Sequence, residues 1–324
     1  MGIIKERRKL NKAIRNAKNI FLMAHKNLDL DALGSQIGMY MILKKKKKNC
    51  FIIIDDKEHE AGVEKVLREL DGVMNRIKSS EIEEYMDSRQ SKNLLIILDT
   101  NKTELVQSKE VLNKIDKKIV IDHHDLGKTT IKNAEIIDDS KVSSTCEMIT
   151  SLIEFYDVEL DSYYATILLS GIVLDTNNYT LNTSAETYYS SYYLASLGAS
   201  AKKVQYLLKQ DINEYTERQK LMADIETIDD KIAFTRASAN TIYRREDLAK
   251  VADTLLFFNN IEASFVIGKI GKDTIGISAR SLGNYDIGKI LTKLGGGGDN
   301  NAGAATKENT TLAKVEQELK KILK

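Results

Sequence analysis

Four short apolar runs in the first half of the chain each end at a residue that can hold a cation or move a proton. FLMA leads to His25, with Asp29 and Asp31 close behind; LLIIL leads to Asp99 and Thr100; KIVI leads to Asp122, His123 and His124; SGIVL leads to Asp175 and Thr176. In an open parallel α/β sheet, side chains at the carboxyl ends of strands converge on one crevice. Carboxylates gathered there without basic partners repel one another unless a cation sits among them. Aspartate oxygens with imidazole and no thiolate suit Mn2+, with Mg2+, Co2+ or Fe2+ also compatible, better than a structural zinc. Five or more donors exceed one tetrahedral ion and suit two. A pair of ions about 3.5 to 4 Å apart can share a carboxylate, acidify a water and stabilise the leaving oxygen of a displacement at phosphorus. The expected chemistry is therefore phosphoester hydrolysis by a two-metal activated water.

Each piece alone has an ordinary reading. An Asp-Thr pair after an apolar run commonly caps a helix, and Asp-His-His could be a capped turn. The combination of all four runs in one half of the chain argues for the metal site. His59, in the polar DDKEHE segment, is given no role. Farther along, Gly295 to Gly298 form the chain's only glycine run, preceded by TIGISARS with Ser278, Arg280 and Ser281. Successive glycine N–H groups can form an anion-binding concavity, with Arg280 meeting a phosphate and the two serines donating hydroxyls. A flexible linker is the plainer alternative.

Positioning these residues requires strands at Ile20–Ala24, Phe51–Ile54, Leu94–Leu98 and Ile119–Ile121, alternating with helix-period segments. Asp31–Lys48 is one such helix, and its closing run of five lysines reads as a solvated helix end. Residues 201–224 read as one amphipathic helical connector. IAFTRAS, ASFVIGKI and TIGISAR then read as strands, VADTLLFF and DIGKILTKL as helices, and Thr311–Lys324 as a final amphipathic stretch. The expected fold is α/β: a parallel-sheet domain with helices on both faces over 1–200, the connector 201–224, and a smaller α+β domain over 225–324.

Composition narrows the function. The 324 residues are 42% hydrophobic and 29% charged, as in ordinary globular chains. Lys plus Arg total 48 against 47 Asp plus Glu, so the chain lacks the basic excess that long nucleic acids demand. A short or cyclic nucleotide remains. Cys50 and Cys146 read as free thiols of a reducing compartment. With no apolar leader and no apolar window of about 18 residues, a cytoplasmic location is expected. Proline is absent, where average usage of about 5% would give roughly 16, so turns must come from Gly, Asn, Asp and Ser.

The ordered set His25-x3-Asp29-x-Asp31-Ala32, Asp99-Thr100, Asp122-His123-His124, Asp175-Thr176 and a late glycine-rich motif resembles the DHH phosphoesterase superfamily with its DHH-associated C-terminal domain. The likeness runs through nearly the whole chain. Within it, ADTLLFF, EASFVIGK, IGISARSLG and LGGGG are similar to the cyclic-di-AMP phosphodiesterases of the GdpP type, and less similar to RecJ exonucleases or the family's pyrophosphatases. The resemblance implies a binuclear manganese site in a cleft between the domains. His25, Asp29 and Asp99 would hold one ion, and Asp31, Asp99, His123 and Asp175 the other. It further implies that Asp122 orients a histidine, that His124 lies near the scissile phosphate, and that Ser278, Arg280, Ser281, Gly296, Gly297 and Gly298 contact the substrate. Cyclic di-AMP would be converted to pApA. The alternatives are a nanoRNase acting on pApA and very short RNA, or a non-catalytic cyclic-dinucleotide-binding module; a homodimer is left open. The chain departs from the pattern at Leu28, where proline is usual, and at Asp299, where the glycine run usually ends in histidine. GdpP-type proteins also carry N-terminal membrane helices and sensor domains not seen here, so the expectation is a catalytic fragment of a membrane-tethered parent or a stand-alone homologue.

Overall fold

Alternation inside the apolar runs decides the architecture of the first half. In a strand successive side chains leave opposite faces, and here both sets are apolar, so both faces must be covered. In this computed structural model, which describes residues 2–55, 59–238 and 240–323, that covering is helical. Lys324, at the end of the expected terminal helix, lies outside the described residues. The chain divides into two compact units, Met1–Lys209 and Gln210–Lys324.

The first unit contains α1 (Gly2–Asn16), β1 (Asn19–Met23), α2 (Leu30–Lys45), β2 (Asn49–Ile53), α3 (Ala61–Glu69), β3 (Arg76–Ile77) and α4 (Ile82–Tyr85). It continues with β4 (Asn93–Leu98), α5 (Lys109–Lys114), β5 (Lys118–Asp122), β6 (Glu135–Asp138), α6 (Thr145–Phe155), α7 (Ser162–Asp175), α8 (Ala185–Ser196) and α9 (Ala201–Leu207). The strands form one wholly parallel sheet in the order β3-β2-β1-β4-β5-β6. Ile20, Leu22 and Ala24 face a core shared with α1, α2, α6 and α7, whereas Phe21 and Met23 face a second core with Val111 and Leu112 of α5.

The second unit contains α10 (Ile212–Leu221), β7 (Glu226–Ile228), β8 (Ile232–Arg236), α11 (Arg245–Leu255), β9 (Ala263–Lys269), β10 (Thr274–Ser281), α12 (Ile287–Thr292), β11 (Gly297–Gly298), β12 (Ala302–Glu308) and α13 (Leu312–Leu323). Its sheet, β11-β12-β10-β9-β8-β7, is antiparallel except for β8 beside β9. One face packs on α12 and α13, and the other on Leu248, Val251 and Leu255 of α11.

Two expectations are corrected. The single connector helix over 201–224 is two helices, because the Asp211 carboxylate accepts from the N–H groups of Asn213 and Glu214 and starts a new helix. The run SGIVL is the last part of helix α7 rather than a strand, so Asp175 is delivered by a helix end. A wholly buried helix and a buried strand share the same unbroken apolar texture. In the lysine run Lys44, Lys45 and Lys47 are exposed at the end of α2, as expected of a solvated helix end, whereas Lys46 lies 3.6 Å from the Tyr156 ring centroid and Lys48 donates to the carbonyls of Arg15 and Ala17 at the end of α1. No helix of the described residues is long and apolar enough to cross a membrane.

Candidate metal centre

Strand order reverses between β1 and β4, and that switch point opens a crevice at the carboxyl ends of a parallel sheet. His25 follows β1, Asp99 follows β4, and Asp122 closes β5 ahead of His123 and His124. Asp29 and Asp31 open α2. The Asp29 Oδ1 caps that helix by accepting from the N–H groups of Asp31 and Ala32, which leaves Oδ2 toward the crevice, 3.6 Å from His25 Nε2. Asp31 is fully buried, and its two oxygens each accept, at 2.8 Å, an N–H from the first turn of α6, those of Thr145 and Cys146. A helix N-terminus stabilises a carboxylate in this way. The cap that starts α6 is Ser144, whose hydroxyl accepts from the Glu147 N–H.

Asp99 takes a left-handed backbone conformation (φ 58°), which aspartate tolerates better than most residues. Its two oxygens face different histidines: Oδ2 is 3.3 Å from His25 Nε2, and Oδ1 is 3.6 Å from His123 Nε2. Thr145 Oγ1 also donates to Oδ1 at 3.1 Å. His123 Nε2 lies 3.1 Å from Asp175 Oδ2. Donor atoms within 4.8 Å of one another form three overlapping groups: His25, Asp29 and Asp99; Asp31, His123 and Asp175; and Asp99, His123 and His124. The six residues that the family resemblance implies as ligands are thus brought together in overlapping groups about Asp99 and His123.

The electrostatics of this cluster fit cations. His25 Nδ1 is 2.8 Å from the Lys26 carbonyl, which can only accept, so Nδ1 carries a hydrogen and Nε2 is the ring nitrogen that faces Asp29 and Asp99. Burial opposes a second proton there, yet the two carboxylates outweigh it and push His25 to about 12. His123 Nε2 is buried and makes no hydrogen bond to a described residue. Burial, then Asp175, lifts Asp31 to about 6; burial, then Asp31, lifts Asp99 well above its usual range; burial, then Asp29, does the same to Asp175. Aspartate oxygens and imidazole nitrogens crowded in this way are the donor set of a divalent metal centre, whose binding would displace the proton that the carboxylates otherwise hold on His25.

His124 has a different setting. Its Nδ1 donates to Asp122 Oδ1 at 2.8 Å, while Asn101 Nδ2 donates to Asp122 Oδ2 at 2.7 Å and to the His124 carbonyl at 3.0 Å. Burial disfavours the Asp122 charge, but the bond from His124 prevails and holds the carboxyl below its usual range. Asp122 therefore orients His124, whose side chain is half exposed. Asn101, Thr145 and the Cys146 amide went unread in the sequence. For α6 a signal existed, since Ser144-x-x-Glu147 ahead of an apolar run marks a helix start.

The residues expected to contact substrate lie in the second unit. Ser278 and Arg280 alternate along β10; the Arg280 Nε donates to Asp253 Oδ1 at 2.7 Å, and Ser281 Oγ accepts from the N–H groups of Gly283 and Tyr285. The glycine run is an ordered chain reversal. The N–H groups of Gly295 and Gly296 bond back to Thr292 and Leu291 at the end of α12, and Gly297 and Gly298 pair with β12. A Cβ on Gly296 would stand 2.3 Å from the Ala304 carbonyl, so packing alone requires glycine there. Asp299 turns the β11–β12 hairpin, its carboxylate accepting from the N–H groups of Asn301 and Ala302. Leu28, at the position where proline is usual, is fully buried in the core.

The description "DHH family, N-terminal domain" matches residues 19–172, and "DHHA1 domain" matches residues 229–324. This is a DHH-family chain carrying a DHHA1 domain. Cyclic-di-AMP phosphodiesterase GdpP of Geobacillus thermodenitrificans is 34% identical over 97% of the DHH chain and 48% of its own length. Cyclic-di-AMP phosphodiesterase PdeA of Listeria monocytogenes is 33% identical over 96% of this chain and 48% of its own. The DHH chain thus spans about half the length of these curated relatives. An exopolyphosphatase-related protein from Bacteroides fragilis superimposes with a TM-score of 0.76 at 21% identity, over 97% of this chain and 95% of its own, and shows the same fold.

Proposed function

We propose that this chain is a metal-dependent phosphodiesterase that hydrolyses cyclic di-AMP to pApA. The observation that carries the reading is the Asp99 carboxylate, one oxygen toward His25 and Asp29, the other toward His123 beside Asp31 and Asp175. The identity with curated cyclic-di-AMP phosphodiesterases through nearly the full chain supports the substrate. His25, Asp29 and Asp99 would hold one divalent cation, and Asp31, Asp99, His123 and Asp175 a second, with Mn2+ the ion proposed. When bound, such ions supply Lewis acidity toward a phosphoryl oxygen and lower the pKa of a water.

The remaining work falls to the chain. The Lys26 carbonyl fixes the His25 tautomer, so that Nε2 is the ligand nitrogen. The amides of Thr145 and Cys146 hold the Asp31 carboxylate in place and partly offset the burial that disfavours its charge. Asp122 accepts from Nδ1 of His124 and orients the ring, so that the doubly protonated imidazolium would donate from Nε2 to the scissile phosphate or pass that proton to the departing ribose oxygen, leaving the neutral ring with its Nδ1 hydrogen on Asp122. In the second unit, Ser278, Arg280, Ser281 and the Gly296–Gly298 turn are the proposed substrate contacts.

The test compares cyclic di-AMP, pApA and RNA of two to five nucleotides, each with Mn2+ or with EDTA, and follows products by chromatography. Metal-dependent formation of pApA from cyclic di-AMP is expected. Consumption of pApA and short RNA alone would make the chain nanoRNase-like, and binding without turnover of any of them would make it a non-catalytic module. Asp31→Asn and His123→Ala should each abolish turnover; retained activity in both would remove the proposed centre.

A further inference from the structure

A second concentration of charge lies in the first unit on residues that the proposed reaction does not use. Arg8, Asn11, Lys12, Ile14 and Arg15 of α1, with Lys46 and Lys48 after α2, line a groove of about 480 Å3. Five of these seven side chains are cationic and none is acidic. Arg8, Lys12 and Arg15 recur at i, i+4 and i+7, one face of the helix, where like charges repel. Among the described residues none of the three has an ion-pair partner, although the chain carries nearly equal numbers of acids and bases. Lys9 of the same helix, by contrast, pairs with Glu6 at 2.6 Å.

The far wall repeats the arrangement. Lys46 stands over the Tyr156 ring and Lys48 donates to the Arg15 and Ala17 carbonyls, so both ammonium groups are fixed. Burial lowers the pKa of each, and the neighbouring Lys45 and Lys92 add to that respectively. Asn11 Oδ1 accepts the Tyr156 hydroxyl at 3.0 Å, which leaves its amide N–H groups as further donors. Two guanidinium forks and three ammonium groups with no acid between them match clustered phosphate oxygens better than a lone carboxylate. The balanced overall charge speaks against a long nucleic acid here.

We propose that the groove between α1 and the end of α2 is an anion site for a free small molecule bearing a diphosphate or triphosphate group, separate from the metal centre. The same phosphate chemistry is presented by an anionic lipid surface, so the test has two arms. Tripolyphosphate is titrated calorimetrically into the full metal-free chain, into an Arg8→Ala/Lys12→Ala/Arg15→Ala variant, and into Asp31→Asn; circular dichroism confirms that each is folded. In parallel, the chain is sedimented with vesicles of phosphatidylglycerol and of phosphatidylcholine. The expected result is one saturable site, weakened at least tenfold in the triple variant and unchanged in Asp31→Asn. Equal affinity in the triple variant, loss in Asp31→Asn, or non-saturable uptake would overturn the proposal. Sedimentation with phosphatidylglycerol vesicles without a tripolyphosphate site would overturn the free-ligand reading and assign the groove to membrane phosphates.

Discussion

Asp29 does two jobs with two oxygens, and substitution can separate them. Oδ1 caps α2 and Oδ2 belongs to the metal cluster. Asp29→Ser and Asp29→Ala both lose the pairing with His25, but Ser keeps a capping oxygen and should be about 1 kcal/mol more stable than Ala in the metal-free chain. Both should weaken Mn2+ binding in calorimetry, and urea denaturation without metal reads the cap separately. Asp31 makes a pH prediction whose sign is fixed by its displacement from 3.8 to about 6. The folded metal-free chain holds that proton more tightly than the unfolded chain does, so its contribution to stability is complete below pH 4 and is lost as pH rises through 6. The swing is about 3 kcal/mol. It should be missing from Asp31→Asn, whose urea midpoints should fall less between pH 4 and 7; an identical fall would show that Asp31 is not the titrating group.

At the scale of elements, the crevice depends on how closely α7 approaches α2. A Cβ on Gly171 would meet Cys146 Sγ at 2.6 Å, the Asp31 Cα at 2.9 Å and Asp31 Oδ1 at 3.0 Å. Gly171→Ala must push α7 outward, displacing Asp31 and, one turn along, Asp175. We expect a loss of roughly 1 to 3 kcal/mol in unfolding free energy and weaker Mn2+ binding. Gly127→Ala, whose Cβ would meet nothing within 4 Å, should show neither. The same packing explains which elements could be read in advance. β1, β4 and β5 are short β-branched runs stopped by acids or histidines, so period and punctuation agree. Asp175 was read at a strand end because α7 is buried almost all round and carries no polar stripe to reveal its helical period. β6, with the half-charged EIID, and β12, with AGAATKE, lack strand texture and are strands because β5 and β10 pair with them. The ligand residues were legible as residue types at punctuated positions. The supports from Asn101 and the α6 amides were not, since a backbone N–H has no letter in the sequence.

For the molecule as a whole, the two units have separate interiors: the cores of the first draw on residues up to Leu207, and those of the second on residues from Leu221 onward. All the proposed metal ligands belong to the first, whereas Ser278, Arg280, Ser281 and the glycine turn belong to the second. A chain ending at Lys209 should therefore unfold cooperatively and bind Mn2+ with an affinity within about threefold of the full chain. At a hundredfold excess over Kd, the ion should stabilise either form by about 3 kcal/mol, read as a shift in the urea midpoint. Turnover should separate them: if the second unit grips the dinucleotide, the shorter chain keeps the metal and loses conversion of cyclic di-AMP by several orders of magnitude. Within the full chain Arg280→Ala should then raise KM at least tenfold with little change in Mn2+ affinity, since the hydrogen bonds of Arg280 run to Asp253 and Ser278 of its own unit. Undiminished cleavage by the shorter chain would assign both catalysis and recognition to the parallel-sheet unit and leave Arg280 a structural partner of Asp253.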